Sequence, residues 1–271
     1  MAKLFEIRRI ISPQLTFILP LIPLVLAAIF YLSLANARRI ENPKDKLLPL
    51  PEDFIQAAKF VCTVDEFKGT IPIVEDLKSS LRLLILSFGS AVLFSLIVGL
   101  HLGSWPWARA MFNPFITLLS YLPPIALMPV IIIVLGIGDL AKSFLVFLAV
   151  SIPLIRGTIL KIEAIPERKI WSALTLGASP WQMIWVVIRR TIEPGFLEDV
   201  RLLLGTAWVY LLAAELIASD TGLGYRISIA GRNLNIALIF FYVAIICVIA
   251  YAMDRSLYQF NRWKNHWALQ K

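Results

Sequence analysis

Charge and catalytic signatures are what this chain of 271 residues has least of. Only 16% of it is charged, against roughly 25% in a soluble domain. Its two histidines, His101 and His266, stand far apart, and no Cys/His group has the spacing of metal ligands. Neither a G-x-x-x-x-G-K-[ST] phosphate loop nor a G-x-G-x-x-G turn occurs. Serine, histidine and acidic residues are present, but no local signature assembles them into a nucleophile and base. These absences remove the common grounds for assigning catalysis, a resident metal or a bound cofactor. Two cysteines, Cys62 in a polar stretch and Cys247 inside an apolar run, make no disulfide framework.

Apolar residues are what the chain has in excess. They make up 59% of it, compared with about 45–50% in soluble domains, so neither disorder nor an ordinary soluble enzyme fits. They are also clustered. Charge-free runs long enough to cross a bilayer, which takes ~20 residues, cover 10–37, 83–108, 110–138 and 233–253. Two shorter runs, 143–155 and 202–214, reach spanning length by extending to 160 and 219. Arg156 then falls near a membrane face, where a long basic chain can snorkel, and Glu215 lies deeper. The expected architecture is an all-α membrane protein with six transmembrane helices.

A seventh charge-free stretch, 170–188, is broken by Gly177-Ala178-Ser179-Pro180. That tetrapeptide reads as a helix stop, an N-cap serine and a proline at the first helical position. Trp171, Trp181 and Trp185 suit an interface. Two short amphipathic surface helices are therefore expected there. Charge supports this choice: with six spans and both termini cytoplasmic, 15 Lys+Arg lie inside and 11 outside. A seventh span would turn this to 10 against 16, opposing the positive-inside bias. The same bias accounts for the net charge of +8 without a nucleic-acid partner.

The N-terminal run carries Ala35-Asn36-Ala37, a small-residue pattern of the signal-peptidase kind, but it is far longer than a signal-peptide core. An uncleaved anchor helix is expected, and with the polar segment behind it forms a unit over 1–79. Within that segment Glu52–Val61 reads as a helix, and Ile71–Leu83 as a stretch lying along the outer surface. Residues 80–260 form the core, with a cytoplasmic loop at 156–201, and 261–271 a cytoplasmic tail. Gly99 and Gly103 form a G-x-x-x-G close-packing pattern. Pro123, Pro124 and Pro129 break backbone bonding in the third span, which is tolerable where it faces protein or a watery path.

The loop segment Ser172-Ala173-Leu174-Thr175-Leu176-Gly177-Ala178-Ser179-Pro180-Trp181-Gln182 resembles the EAA loop of ATP-binding-cassette importer permeases. Leu48-Pro49-Leu50-Pro51, Tyr121-Leu122-Pro123-Pro124-Ile125-Ala126-Leu127-Met128-Pro129, Leu135-Gly136-Ile137-Gly138, Ala213-Ala214-Glu215 and Gly222-Leu223-Gly224-Tyr225 agree with further blocks of that family in the same order. The resemblance implies the type I importer permease fold and a dimer of permeases in a bacterial inner membrane. It implies cytoplasmic ATPase subunits that hold ATP and Mg, an external solute-binding protein, and nitrate, sulfonate, taurine or bicarbonate as the class of solute. Glu167, Trp171, Ser172, Ala173, Gly177, Ala178, Ser179 and Pro180 would couple to the ATPase. Tyr121, Pro123, Pro124, Trp208 and Glu215 would line a path or gate. Two departures stand out: Trp171 replaces the loop's usual Glu, with Glu167 nearby, and Arg189-Arg190 replace a Leu-Pro. From the residues alone, a compact knuckle could transmit force or simply rest on the bilayer. Glu215 could be a gate acid, a helix-end carboxylate bonded to backbone or to Arg226, or the coupling acid of an ion-driven carrier.

Overall fold

The computed structural model describes residues 19, 21–41, 47–63, 69–217 and 219–269, and every described segment of regular structure is helical. The expected N-terminal tail, and residues 10–18 of the first apolar run, lie outside the described residues. The helices are α1 (Leu21–Glu41), α2 (Pro51–Cys62), α3 (Pro72–Ser104), α4 (Pro106–Leu119), α5 (Met128–Leu135) and α6 (Asp139–Glu163). After them come α7 (Glu167–Thr175), α8 (Pro180–Ile217), α9 (Leu223–Arg232), α10 (Ile236–Lys264) and the short α11 (His266–Leu269). Five helices are individually long and apolar enough to cross a membrane: α1, α3, α6, α8 and α10. Helices α4 and α5 pass the same test of length and apolarity together, bent by 84° at their break, and count as a sixth span if the bent pair crosses as one.

That break lies where Pro123 and Pro124 withdraw backbone donors. Helix α4 ends at Ser120, the chain turns through Tyr121–Pro123, and a 3-10 turn Pro124–Leu127 leads into α5. Arg156 reaches the break from α6, donating to Ser120 Oγ at 2.8 Å and lying 5.8 Å from the Tyr121 ring centroid. It supplies donors to a segment short of them.

The central packing is α3 against α6 and α6 against α8. Absent side chains make it close. A Cβ on Gly99 would come within 2.7 Å of Thr158, and one on Gly103 within 2.5 Å of Ile162. The G-x-x-x-G pattern thus serves contact inside one chain. On the other face of α6, a Cβ on Gly195 would meet the Lys161 side chain at 2.8 Å. The main core gathers Leu84, Leu154, Leu204, Trp208, Leu211 and Tyr242.

Two boundaries differ from expectation. Residues 72–83 do not lie along the surface but form the first turns of α3, a 33-residue helix. Two of their polar members are buried in contacts: Asp76 and Ser80 are 1% and 0% exposed. Likewise, only the first of the two short helices expected at 170–188 is separate. The second is the start of α8, which runs 38 residues from Pro180 through a π-helical stretch at Met183–Ile188 to Ile217. The supposed loop 156–201 is almost wholly helical because its Lys161, Asp199 and Arg201 pair with one another or with α10.

Candidate coupling site and the network at the opposite end

Helix α7 begins directly after Pro166, with Glu167 in its first turn near the positive end of the helix dipole. It ends in a Schellman motif. Gly177 adopts φ +82°, its N–H donates to Leu174 O at 2.9 Å, and the Ala178 N–H donates to Ala173 O at 3.1 Å. Helix α8 starts immediately with a capping box: the Gln182 N–H donates to Ser179 Oγ at 3.3 Å, and the Ser179 N–H donates to the Gln182 side-chain oxygen at 2.9 Å. Pro180 takes the first helical position, whose N–H needs no partner. Stop and start signals four residues apart make a tight knuckle.

Its inner side is anchored by an apolar cluster of Ile162, Ile165, Met183 and Ile184, with Ala173 and Ala178 against it. His101 of α3 meets Trp181 and Trp185 edge-on at 5.7 and 6.0 Å. The outer side is apolar yet uncovered: Trp171 is 63% and Leu176 88% exposed. Glu167, Ser172, Gly177, Ser179 and Pro180 are exposed as well, so all eight residues expected to couple fall on this one feature. Glu167 sits one helical turn before Trp171 on the same face. Arg168, Lys169, Ser172, Ala173, Leu176 and Val187 border a groove of about 330 Å³ between α7 and the start of α8.

The residues expected along a path divide into two groups. Tyr121 (74% exposed) and Pro123 are open, and Pro124 is half-buried, all at the α4–α5 break. Trp208 and Glu215 are not open: both are sealed inside the helix packing of this single chain. Neither lines a surface here, because α8 turns both toward the core formed with α3, α9 and α10. For Glu215 the structure agrees with the helix-end reading. Its Oε1 accepts from Ser80 Oγ at 2.6 Å and its Oε2 from the Gly224 N–H at 2.8 Å. Arg226 is not its partner; Arg226 Nε donates to Asp76 at 2.8 Å.

Around that carboxylate lies a network that sequence reasoning missed. Asp76 also accepts from Tyr242 Oη at 2.9 Å and from the Gly222 N–H at 3.4 Å. Ser80 Oγ accepts from the Leu223 N–H at 2.8 Å. Three successive N–H groups at the start of α9, which an isolated helix leaves unsatisfied, are thus met by side chains of α3 and α8. Carboxylates are favourable at that helix end. Nearby, Lys142 bonds Asp139 at 2.7 Å and Ser219 Oγ at 3.2 Å. The legible signal was Gly222-x-Gly224: a Cβ on Gly222 would stand 2.6 Å from Glu215 Oε1, and one on Gly224 2.7 Å from Leu212 O. Both positions must lack a side chain for backbone and carboxylate to meet.

Five long apolar helices, a bent helix pair that counts as a sixth and an exposed apolar knuckle define a multi-pass helical subunit of a membrane. Residues 91–265 match the family of binding-protein-dependent transport system inner membrane components, and the chain belongs to it. It is 31% identical over 220 residues to the taurine transport system permease protein TauC of Escherichia coli (strain K12), covering 81% of this chain and 80% of that one. It is 27% identical over 173 residues to the nitrate import permease protein NrtB of Synechococcus elongatus, covering 62% of each. The fold also matches a chain of the MetNI methionine ABC transporter, solved in inward-facing conformations, with TM-score 0.63 and 18% identity over 70% of this chain and 94% of that one. The protein is a permease subunit of an ATP-binding-cassette importer.

Proposed function

We propose that this permease passes a small anion of the sulfonate or nitrate type into the cytoplasm. Separate ATPase subunits would drive it by seating the knuckle at Glu167–Gln182 in a groove of their own. The reading rests above all on that knuckle, a doubly capped element whose apolar outer face has no cover within the chain. Its flanks carry Arg168, Lys169 and Arg190, in keeping with a cytoplasmic position under the positive-inside bias. A second permease copy would complete the path, and an external solute-binding protein would deliver substrate at the Glu215 end. The class of solute is supported by the taurine and nitrate permeases to which the chain is similar. A carrier driven by protonation of Glu215 is disfavoured, because that carboxylate is enclosed and both its oxygens are already bonded.

Gly177→Trp tests the coupling step. No atom lies within 4 Å of a Cβ built there, but φ +82° penalises any side chain by about 1–2 kcal/mol. The substitution should abolish transport-coupled ATPase activity and leave membrane insertion intact. Undiminished ATP-driven uptake of a sulfonate or of nitrate by the Gly177→Trp chain would refute the coupling role.

A further inference from the structure

We infer that Glu215 is a positioning residue: it fastens the far end of α8 to α3 and to the start of α9, so that α8 acts as a strut between the knuckle and the turn at 219–222. This rests on the proposed docking of ATPase subunits at the knuckle. Helix α8 begins inside the knuckle at Pro180 and reaches Ile217 without a break, about 57 Å at 1.5 Å per residue. Its one irregular stretch, the π-helical Met183–Ile188, lies near the knuckle and is itself pinned by buried Met183, Ile184 and Ile188. Beyond it, Arg189–Ile217 is α-helical throughout, with Pro194 inside it withholding one backbone donor from the helical ladder.

A strut transmits displacement only if its far end is attached. Glu215 has two oxygens and spends each on a different element, Ser80 of α3 and the Gly224 N–H of α9. Ser80 passes the tie on to the Leu223 N–H, and Asp76 adds the Gly222 N–H, Arg226 and Tyr242. A carboxylate enclosed in this way cannot slide without leaving buried donors and its own oxygens without hydrogen-bond partners, a costly state for buried polar groups. The glycines hold backbone against carboxylate so closely that α8 cannot shift toward α9 without displacing it. Movement of α8 along its axis must therefore carry the turn with it. The turn surfaces at Asp220, which is exposed, and touches α3 through Thr221 and Ser79 at 3.2 Å.

The test uses the full chain with its copurified ATPase in lipid nanodiscs, in a Cys62→Ser, Cys247→Ser background. Thr175→Cys reports on the knuckle and Asp220→Cys on the turn, each read as the rate of maleimide labelling with and without ATP plus vanadate. With Glu215 in place, both rates should change on adding nucleotide. With Glu215→Gln or Ser80→Ala, the Thr175→Cys response should persist and the Asp220→Cys response should shrink about fivefold or more, the scale of a typical coupling energy between sites. A merely structural role would move both reporters or neither. Ser80→Ala keeps the carboxylate, so it decides the matter if Glu215→Gln does not assemble. An undiminished Asp220→Cys response in a folded variant overturns the strut. Absence of any nucleotide response at Thr175→Cys in the chain with Glu215 overturns the docking reading, and the strut with it.

Discussion

The two ends of the helical bundle hold their charges in different ways. At the Glu215 end, Asp76 and Glu215 are buried and accept from backbone N–H groups of a neighbouring helix as well as from side chains. At the knuckle end, charged side chains meet other charged side chains, most of them partly in contact with solvent. Arg109 meets Glu163 at 3.3 Å, Lys161 pairs with Asp199, Arg201 with Asp254 and Glu198, and Lys264 with Glu193. A carboxylate that bonds backbone fixes the position of a helix end. A partly solvated pair of long side chains holds two helices near each other while allowing them to slide. One end of this molecule is clamped and the other is held by partly solvated pairs, which suits the input proposed for the knuckle.

Substitutions can break or sharpen that contrast. The largest effect is expected from Asp76→Ala, which strips Arg226, Tyr242 and the Gly222 N–H of their shared acceptor. Breaking a buried pair from one side costs about 3–5 kcal/mol, so detergent-solubilised protein should show a marked loss of thermal stability. Gly224→Ala comes next. Its Cβ would sit 2.7 Å from Leu212 O and 2.8 Å from Glu215 Cβ, an overpacking of about 1–3 kcal/mol. It should lower the melting temperature less than Asp76→Ala does.

At the knuckle end Arg109→Gln should do little. Both partners of that pair are about a third or more exposed, and such bridges contribute about 0–1 kcal/mol. A loss as large as that of Asp76→Ala would erase the distinction between the ends. The smallest effect belongs to Asp53, just after the first span. The hydrogen bond from Arg39 holds its carboxyl below the ordinary carboxylate range, against desolvation that pushes it up, with the Leu50 N–H assisting. A lowered pKa means a contribution present at and above the ordinary carboxylate range and lost as pH falls through the lowered value. The stability gap between the native chain and Asp53→Asn should be full at neutral pH and close in strong acid. A gap that widens in acid would contradict the pairing.

The contrast between the ends also marks what the sequence could disclose. The knuckle was legible almost atom by atom, because Gly177 and Ser179-Pro180 act through bonds to residues three to five positions away. The spans were legible as apolar runs, and the break from Pro123 and Pro124. Span limits were not, since the polar start of α3 and the middle of α8 carry charges whose partners lie elsewhere in the fold: Asp76 with Arg226, Arg201 with Asp254. The clamp was hidden for the same reason. Residues 76, 80, 215, 224, 226 and 242 come from four helices, and no spacing along the chain announces their meeting. Backbone or Arg226 was the expected partner of a helix-end Glu215; the backbone serves it, while Arg226 bonds Asp76, which stood in a stretch read as lying on the surface.

A chain that receives force from a separate ATPase through its knuckle should hold that ATPase when it is taken out of the membrane. The most direct measurement is gentle-detergent purification of the tagged chain from its native membrane, with mass spectrometry of the proteins that copurify. The account predicts a stoichiometric ATPase bearing a phosphate-loop motif, reduced or lost when Gly177→Trp replaces the native chain. An intact, folded chain that reproducibly emerges without such a partner would contradict it.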